Sequence, residues 1–191
     1  MLLYKIDIQD NNELSIAGLL TGGIETRTTY ATRAQMAHIL AALMPTNRLV
    51  IKICMETGLR ISDVLSLKTC QLKRRQTVRE AKTGKSRRIQ WPESLYTEMR
   101  RQAGEIWVFP GRTDPGKHRT RQAVWRDIKR AEHVFRRSKE LDRRQNLGTH
   151  TARKIAAVEA YQRGGMPAAQ RLLNHSDPYI TRLYALADKE L

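Results

Sequence analysis

No apolar run in this 191-residue sequence approaches the roughly 20 residues needed to span a bilayer. The best candidate, Leu49–Cys54, is interrupted by Lys52. The first residues carry Asp7 and Asp10 where a secretory leader would have basic residues followed by an apolar stretch. Cysteine is nearly absent. Cys54 and Cys70 form no CxxC pair and have no histidine cluster at ligand spacing, so neither a disulfide scaffold nor a structural zinc site is expected. Internal repeats and low-complexity linkers are also missing, and the length suits one domain with a sizeable core. These absences lead us to expect a soluble protein, not a membrane protein, in a reducing compartment that also holds DNA or RNA.

Acidic residues are scarce too. Nineteen Asp and Glu face 35 Lys and Arg, a net charge of +16. The excess is densest over Lys73–Arg88, Arg119–Arg144 and His150–Lys154. Such a field attracts polyanions, of which nucleic acid is the commonest. Charge alone names the kind of partner and not what is done to it, and an RNA-binding protein would look similar. No RNA-reading run of aromatics and no GXXG loop is present to support that alternative.

Leu2, Tyr4, Ile6 and Ile8 alternate with Lys5 and Asp7, a strand period. From Thr32 the period becomes helical, through Met36, Ile39, Leu40 and Leu43, and Thr32 and Gln35 have the spacing of a capping box. Pro45 separates this helix from a second over about 47–56, ending at Gly58. A third short helix is predicted with Ser62 as its cap. Val78 and Ile89 flank a Thr-Gly-Lys turn, which predicts a basic β-hairpin. Pro92 suits the first position of the next helix. Val124, Ile128, Ala131 and Phe135 form the stripe of a long basic helix. A helix over about 151–162 should stop at Gly164-Gly165, with two short helices after it, one following Pro167 and one over about 178–187. Trp91, Trp107 and Trp125 are read as core. The fold class is mainly α with a small antiparallel β-sheet (α+β), divided into an N-terminal extension over 1–30 and a main domain over 31–191.

Cleaving a phosphodiester needs a nucleophile, cations for the non-bridging oxygens and an acid for the leaving oxygen. The carboxylates are scattered and mostly beside Lys or Arg, so no metal cage is evident. The candidates for the other roles fall in four segments. "ETGLRISDVLSL" places Arg60 after a glycine break and before a helix. "AKTGKSRRI" places Lys82 at the hairpin tip, with Lys85 as its competitor. "GTHTARK" places His150 and Arg153 three apart, on one face of a helical turn. "LLNHSDPYITRLYA" places His175 nine residues before Tyr184. Tyr179 competes with Tyr184, but its spacing with Leu183 and Leu186 suggests core packing. Asp63 is expected to order the helix start or pair with a nearby arginine.

Taken together these segments resemble the tyrosine recombinase (phage integrase) family. Its catalytic domain carries an arginine in a TGLR-x-S-E/D-x-L-x-L box, a hairpin lysine, an HxxR pair, an LGH box and a tyrosine nine residues beyond that last histidine. The match runs in order from about 32 to 186. The resemblance implies that Arg60 and Arg153 grip the scissile phosphate, and that His150 transfers protons and contacts the phosphate. It implies that Lys82 protonates the leaving 5′-hydroxyl, that His175 supports the site and that Tyr184 is the nucleophile. The implied chemistry is site-specific cleavage and rejoining of duplex DNA through a 3′-phosphotyrosyl intermediate, with neither ATP nor a metal and no cofactor. A homotetramer on DNA, accessory DNA-bending proteins and a cytoplasmic, nucleoid-associated location are implied as well. A DNA-binding regulator derived from a recombinase, without catalysis, is the alternative. Asn174 replaces the glycine of the LGH box, and Lys154 follows the HxxR arginine where histidine is frequent.

Overall fold

The computed structural model describes residues 28–137, 141 and 145–187. The strand predicted over Leu2–Ile8 lies outside them. Seven α-helices and one hairpin are described: α1 Arg33–Ala42, α2 Pro45–Thr57, α3 Ile61–Leu65, β1 Arg75–Arg79, β2 Ser86–Gln90, α4 Glu93–Gln102, α5 Arg121–Arg137, α6 Thr149–Leu173 and α7 Pro178–Ala185.

The capping box forms as its spacing predicts. Thr32 Oγ1 accepts from the Gln35 N–H at 3.2 Å, and Gln35 Oε1 accepts from the Thr32 N–H at 2.9 Å. Gly58 closes α2 at φ 63°, a left-handed conformation that suits glycine. Its position also lacks room, because a Cβ there would meet Leu172 Cγ at 3.1 Å. The start of α3 departs from the sequence reading. Arg60, not Ser62, occupies the cap position with extended backbone, and no side chain caps the helix.

The hairpin is antiparallel, with Val78 opposite Arg87 and Gln76 opposite Ile89. Strand alternation sends Val78 and Ile89 into the core and leaves Arg75, Arg79 and Arg88 exposed. Gly84 turns the chain at φ 67°. The span of α6 is two helices joined at a kink, because Gly164 and Gly165 have non-helical backbone, and the first helix stops there as the sequence predicts.

The core lies between α2, α4, α5 and the first half of α6, with Ile51, Ile53, Met99, Ile128 and Ile155 buried. Glu132 of α5 accepts from the Leu147 N–H at 2.9 Å, and Arg136 bonds the Gln145 carbonyl, which fixes the segment leading into α6. Trp91 is buried as expected, but Trp125 is 44% exposed on α5. Tyr179, whose spacing suggests core packing, is 67% exposed. The physical reason is that α7 docks through Thr181 and Ala185, small residues four apart that allow close approach and lie off the Tyr179–Leu183–Leu186 stripe.

Candidate functional site

Four chain segments meet at the site. Gly58 and the start of α3 deliver Arg60, the first turn of α6 delivers His150 and Arg153, the α6–α7 turn delivers His175, and α7 delivers Tyr184. Arg153 is the most buried, at 2% exposure. It donates to the Gly58 carbonyl, to the Leu173 carbonyl at 2.7 Å and to His175 Nε2 at 2.9 Å. One guanidinium thus ties the end of α2 to the end of α6. Arg87 repeats the tie one residue away, donating to the carbonyls of Leu172 and of Thr57, the latter at 2.8 Å. Cations at helix C-termini also complement the helix dipoles.

Because Arg153 only donates, His175 Nε2 must accept. The proton then sits on Nδ1, which lies 3.4 Å from Thr181 Oγ1. Burial, then Arg153 and Arg60, push the His175 pKa down to about 4. Burial, then Arg121, Arg153, Arg60 and Lys154, push His150 down to about 4 as well. Both imidazoles are neutral near pH 7, and His150 can accept a proton. Its Nδ1 lies 3.4 Å from the Tyr184 hydroxyl. The Tyr184 ring packs edge-on against His175, with centroids 5.7 Å apart and an interplanar angle of 72°. Burial, then Arg60, push Arg153 down to about 10, which leaves it charged at neutral pH.

Arg60 pairs with Glu80, a residue the sequence reading passed over. Its signal was there: Glu80 is the sole acidic residue between Lys73 and Arg88. Of the two roles expected for Asp63, ordering the helix start or pairing with an arginine, the second is not seen among the described residues, and Asp63 sits in the first turn of α3. Its Oδ1 accepts from the Ala81 N–H at 2.9 Å, linking α3 to the hairpin, while Oδ2 is buried and finds no partner among the described residues. Burial therefore raises the Asp63 pKa.

Lys82 is exposed on the hairpin turn. Lys85 lies closer in, with its Nζ bonded to Ser176 Oγ beside His175. The structure thus gathers Arg60, His150, Arg153, His175 and Tyr184, and it leaves Lys82 at the edge on the hairpin. Asn174 keeps the turn that glycine would make, at φ 55°. Among the described residues no cluster of three or more metal-ligating side chains occurs, and no helix is long and apolar enough to cross a membrane.

The family profile described as "Phage integrase family" matches residues 29–190. The probable integrase/recombinase YoeC of Bacillus subtilis (strain 168) is 33% identical over 141 residues, 70% of this chain and 74% of that one. Solved structures that share the fold include two of lambda integrase. One is a lambda integrase dimer bound to a COC′ core site, with a TM-score of 0.71 and 18% identity over 84% of this chain and 60% of that one. The other is a lambda integrase tetramer bound to a Holliday junction, with a TM-score of 0.67 and 18% identity over 84% of this chain and 48% of that one. This chain therefore spans about half the length of the solved structures it matches.

Proposed function

The chain belongs to the phage integrase family of tyrosine recombinases, and from that premise we propose that it cleaves and rejoins duplex DNA at specific sites through a 3′-phosphotyrosyl bond on Tyr184. The observation that carries this reading is the 3.4 Å approach of the Tyr184 hydroxyl to His150 Nδ1, within the cluster that holds Arg60, Arg153 and His175.

In the proposed reaction the Tyr184 oxygen attacks the scissile phosphorus as its proton passes to neutral His150. The P–O5′ bond breaks, and Lys82, exposed on the hairpin turn, protonates the leaving 5′-oxygen. Arg60 holds the non-bridging oxygens. Arg153 lies beneath with three of its five N–H groups committed to Gly58, Leu173 and His175, so it adds positive potential and orients His175. The phosphotyrosyl bond conserves the energy of the broken phosphodiester. Attack by the partner strand's 5′-hydroxyl reverses each proton transfer and reseals the DNA. Electrostatic stabilisation by such fixed donors is usually the largest catalytic contribution.

The proposed partner is duplex DNA, with a homotetramer assembling on two duplexes, and the proposed setting is the cytoplasm. The lambda integrase tetramer on a Holliday junction, which has the same fold, supports that stoichiometry. Incubation with nicked duplexes tiled across the DNA flanking its own gene tests the reading. We expect a covalent DNA–protein adduct on one of them. Tight duplex binding without any adduct would favour the regulator alternative.

A further inference from the structure

We propose that Glu80 is a positioning residue of this site, a buried carboxylate that, together with Asn174, sets Arg60 and couples the hairpin carrying Lys82 to the turn carrying His175. The inference rests on the strand-transfer reading above.

Glu80 is fully buried. It sits where β1 enters the hairpin turn, and its backbone closes that turn by accepting from Gly84 at 2.9 Å and donating to Lys85 at 2.8 Å. Both side-chain oxygens are engaged, by donors from three parts of the chain. Oε2 accepts from Arg60 at the head of α3 and from Thr83 Oγ1 of the turn at 3.2 Å. Oε1 accepts from Asn174 Nδ2 at the end of α6, at 3.1 Å. A carboxylate removed from water persists only where charge and hydrogen bonds compensate it. Burial alone would raise the Glu80 pKa, but the Asn174 bond and the Arg60 charge outweigh it and hold the group below the usual carboxylate range.

Asn174 explains itself through the same contact. Its backbone is left-handed, a conformation open chiefly to Gly, Asn and Asp. Glycine would offer no side chain, and aspartate would set a second carboxylate against Glu80. Asparagine alone of the three makes the turn and donates. The departure from the family's glycine is thus paired with a buried acid 94 residues away. Charge-assisted bonds to guanidinium are directional, so the Glu80 contact at one nitrogen of Arg60 restrains where its fork can lie.

A misplacement of about 1 Å can slow an enzyme roughly 10²-fold. Glu80→Gln should therefore slow single-turnover adduct formation on a nicked duplex by roughly 10–100-fold. Duplex affinity should stay the same or rise, because a negative charge beneath the phosphate site is gone. A merely loosened fold would weaken binding and cleavage together and lower Tm. Asn174→Gly keeps the turn, removes the donor and should slow cleavage by roughly 10-fold, the kinetic equivalent of one lost hydrogen bond to a charged group. In the double variant the two effects should not multiply, because both act through the one Glu80 carboxylate.

Wild-type cleavage rates in Glu80→Gln, or fully multiplicative losses in the double variant, would overturn the proposal. So would a parallel fall in affinity and Tm. If Glu80→Gln fails to fold, Asn174→Gly decides alone, and a wild-type rate there overturns the coupling. A wild-type protein that forms no adduct would instead remove the strand-transfer reading, and this inference with it.

Discussion

The Tyr184 hydroxyl lies 3.4 Å from His150 Nδ1, a contact between residues 34 positions apart that only the packing of α7 on α6 can make. It pairs a phenol with an imidazole kept neutral by burial and by surrounding arginines. If His150 takes the phenolic proton, His150→Ala should slow adduct formation by about 10²–10⁴-fold, the usual range for general acid–base catalysis. Filter-binding affinity for the same duplex should change little, and a matching loss of affinity would point to phosphate contact as the main role.

The depressed histidine pKa values also predict the acid response of the free protein. In the unfolded chain both titrate near 6.5, whereas the folded state holds His150 and His175 near 4. Between roughly pH 6.5 and 4 the unfolded chain binds protons that the folded chain refuses, so stability falls as pH falls through this window. Asp63, whose burial raises its pKa, acts in the opposite sense toward the acid end. The comparison of wild type with His150→Gln isolates the histidine. Its Tm should decline less steeply from pH 7 to 4.5, with each 1 kcal/mol worth about 2–4 °C in a domain of this size. Parallel curves would contradict the assignment.

Gly58→Ala should be more damaging than its size suggests. The left-handed backbone alone makes a non-glycine residue unfavourable by about 1–2 kcal/mol, and the new Cβ would crowd Leu172. Because Arg60 follows two residues later, cleavage should fall further than Tm would imply. Thermal denaturation alongside single-turnover cleavage separates the two effects.

The two hairpin lysines can be told apart through the leaving group. A sulfur in place of the bridging 5′-oxygen leaves without needing a proton donor. Lys82→Ala should slow cleavage of normal DNA by about 10²–10⁴-fold and recover most of that loss on the sulfur-substituted strand. Lys85→Ala, which removes the bond to Ser176, should show no such selective recovery. Recovery for Lys85→Ala alone would exchange their roles.

Much of this was legible in the sequence because it is local. The Thr32–Gln35 cap, the hairpin around Gly84, the α5 stripe and the ordered motifs all depend on neighbours within a few residues or on short fixed intervals. What failed depends on distant partners. Tyr179 has core spacing, but α7 is buried through Thr181 and Ala185, whose small side chains leave no apolar signature. Glu80 and Arg87 read as ordinary members of a charged hairpin until the ends of α2 and α6 close over them.

The central claim is that one phenol becomes covalently joined to DNA. Its most direct test is to trap the protein on a nicked duplex, digest the adduct and identify the attached residue by mass spectrometry. We predict a 3′-phosphate linked to the Tyr184 peptide and no adduct from Tyr184→Phe, which still binds the duplex. Attachment at another residue, or an undiminished adduct from Tyr184→Phe, would contradict it.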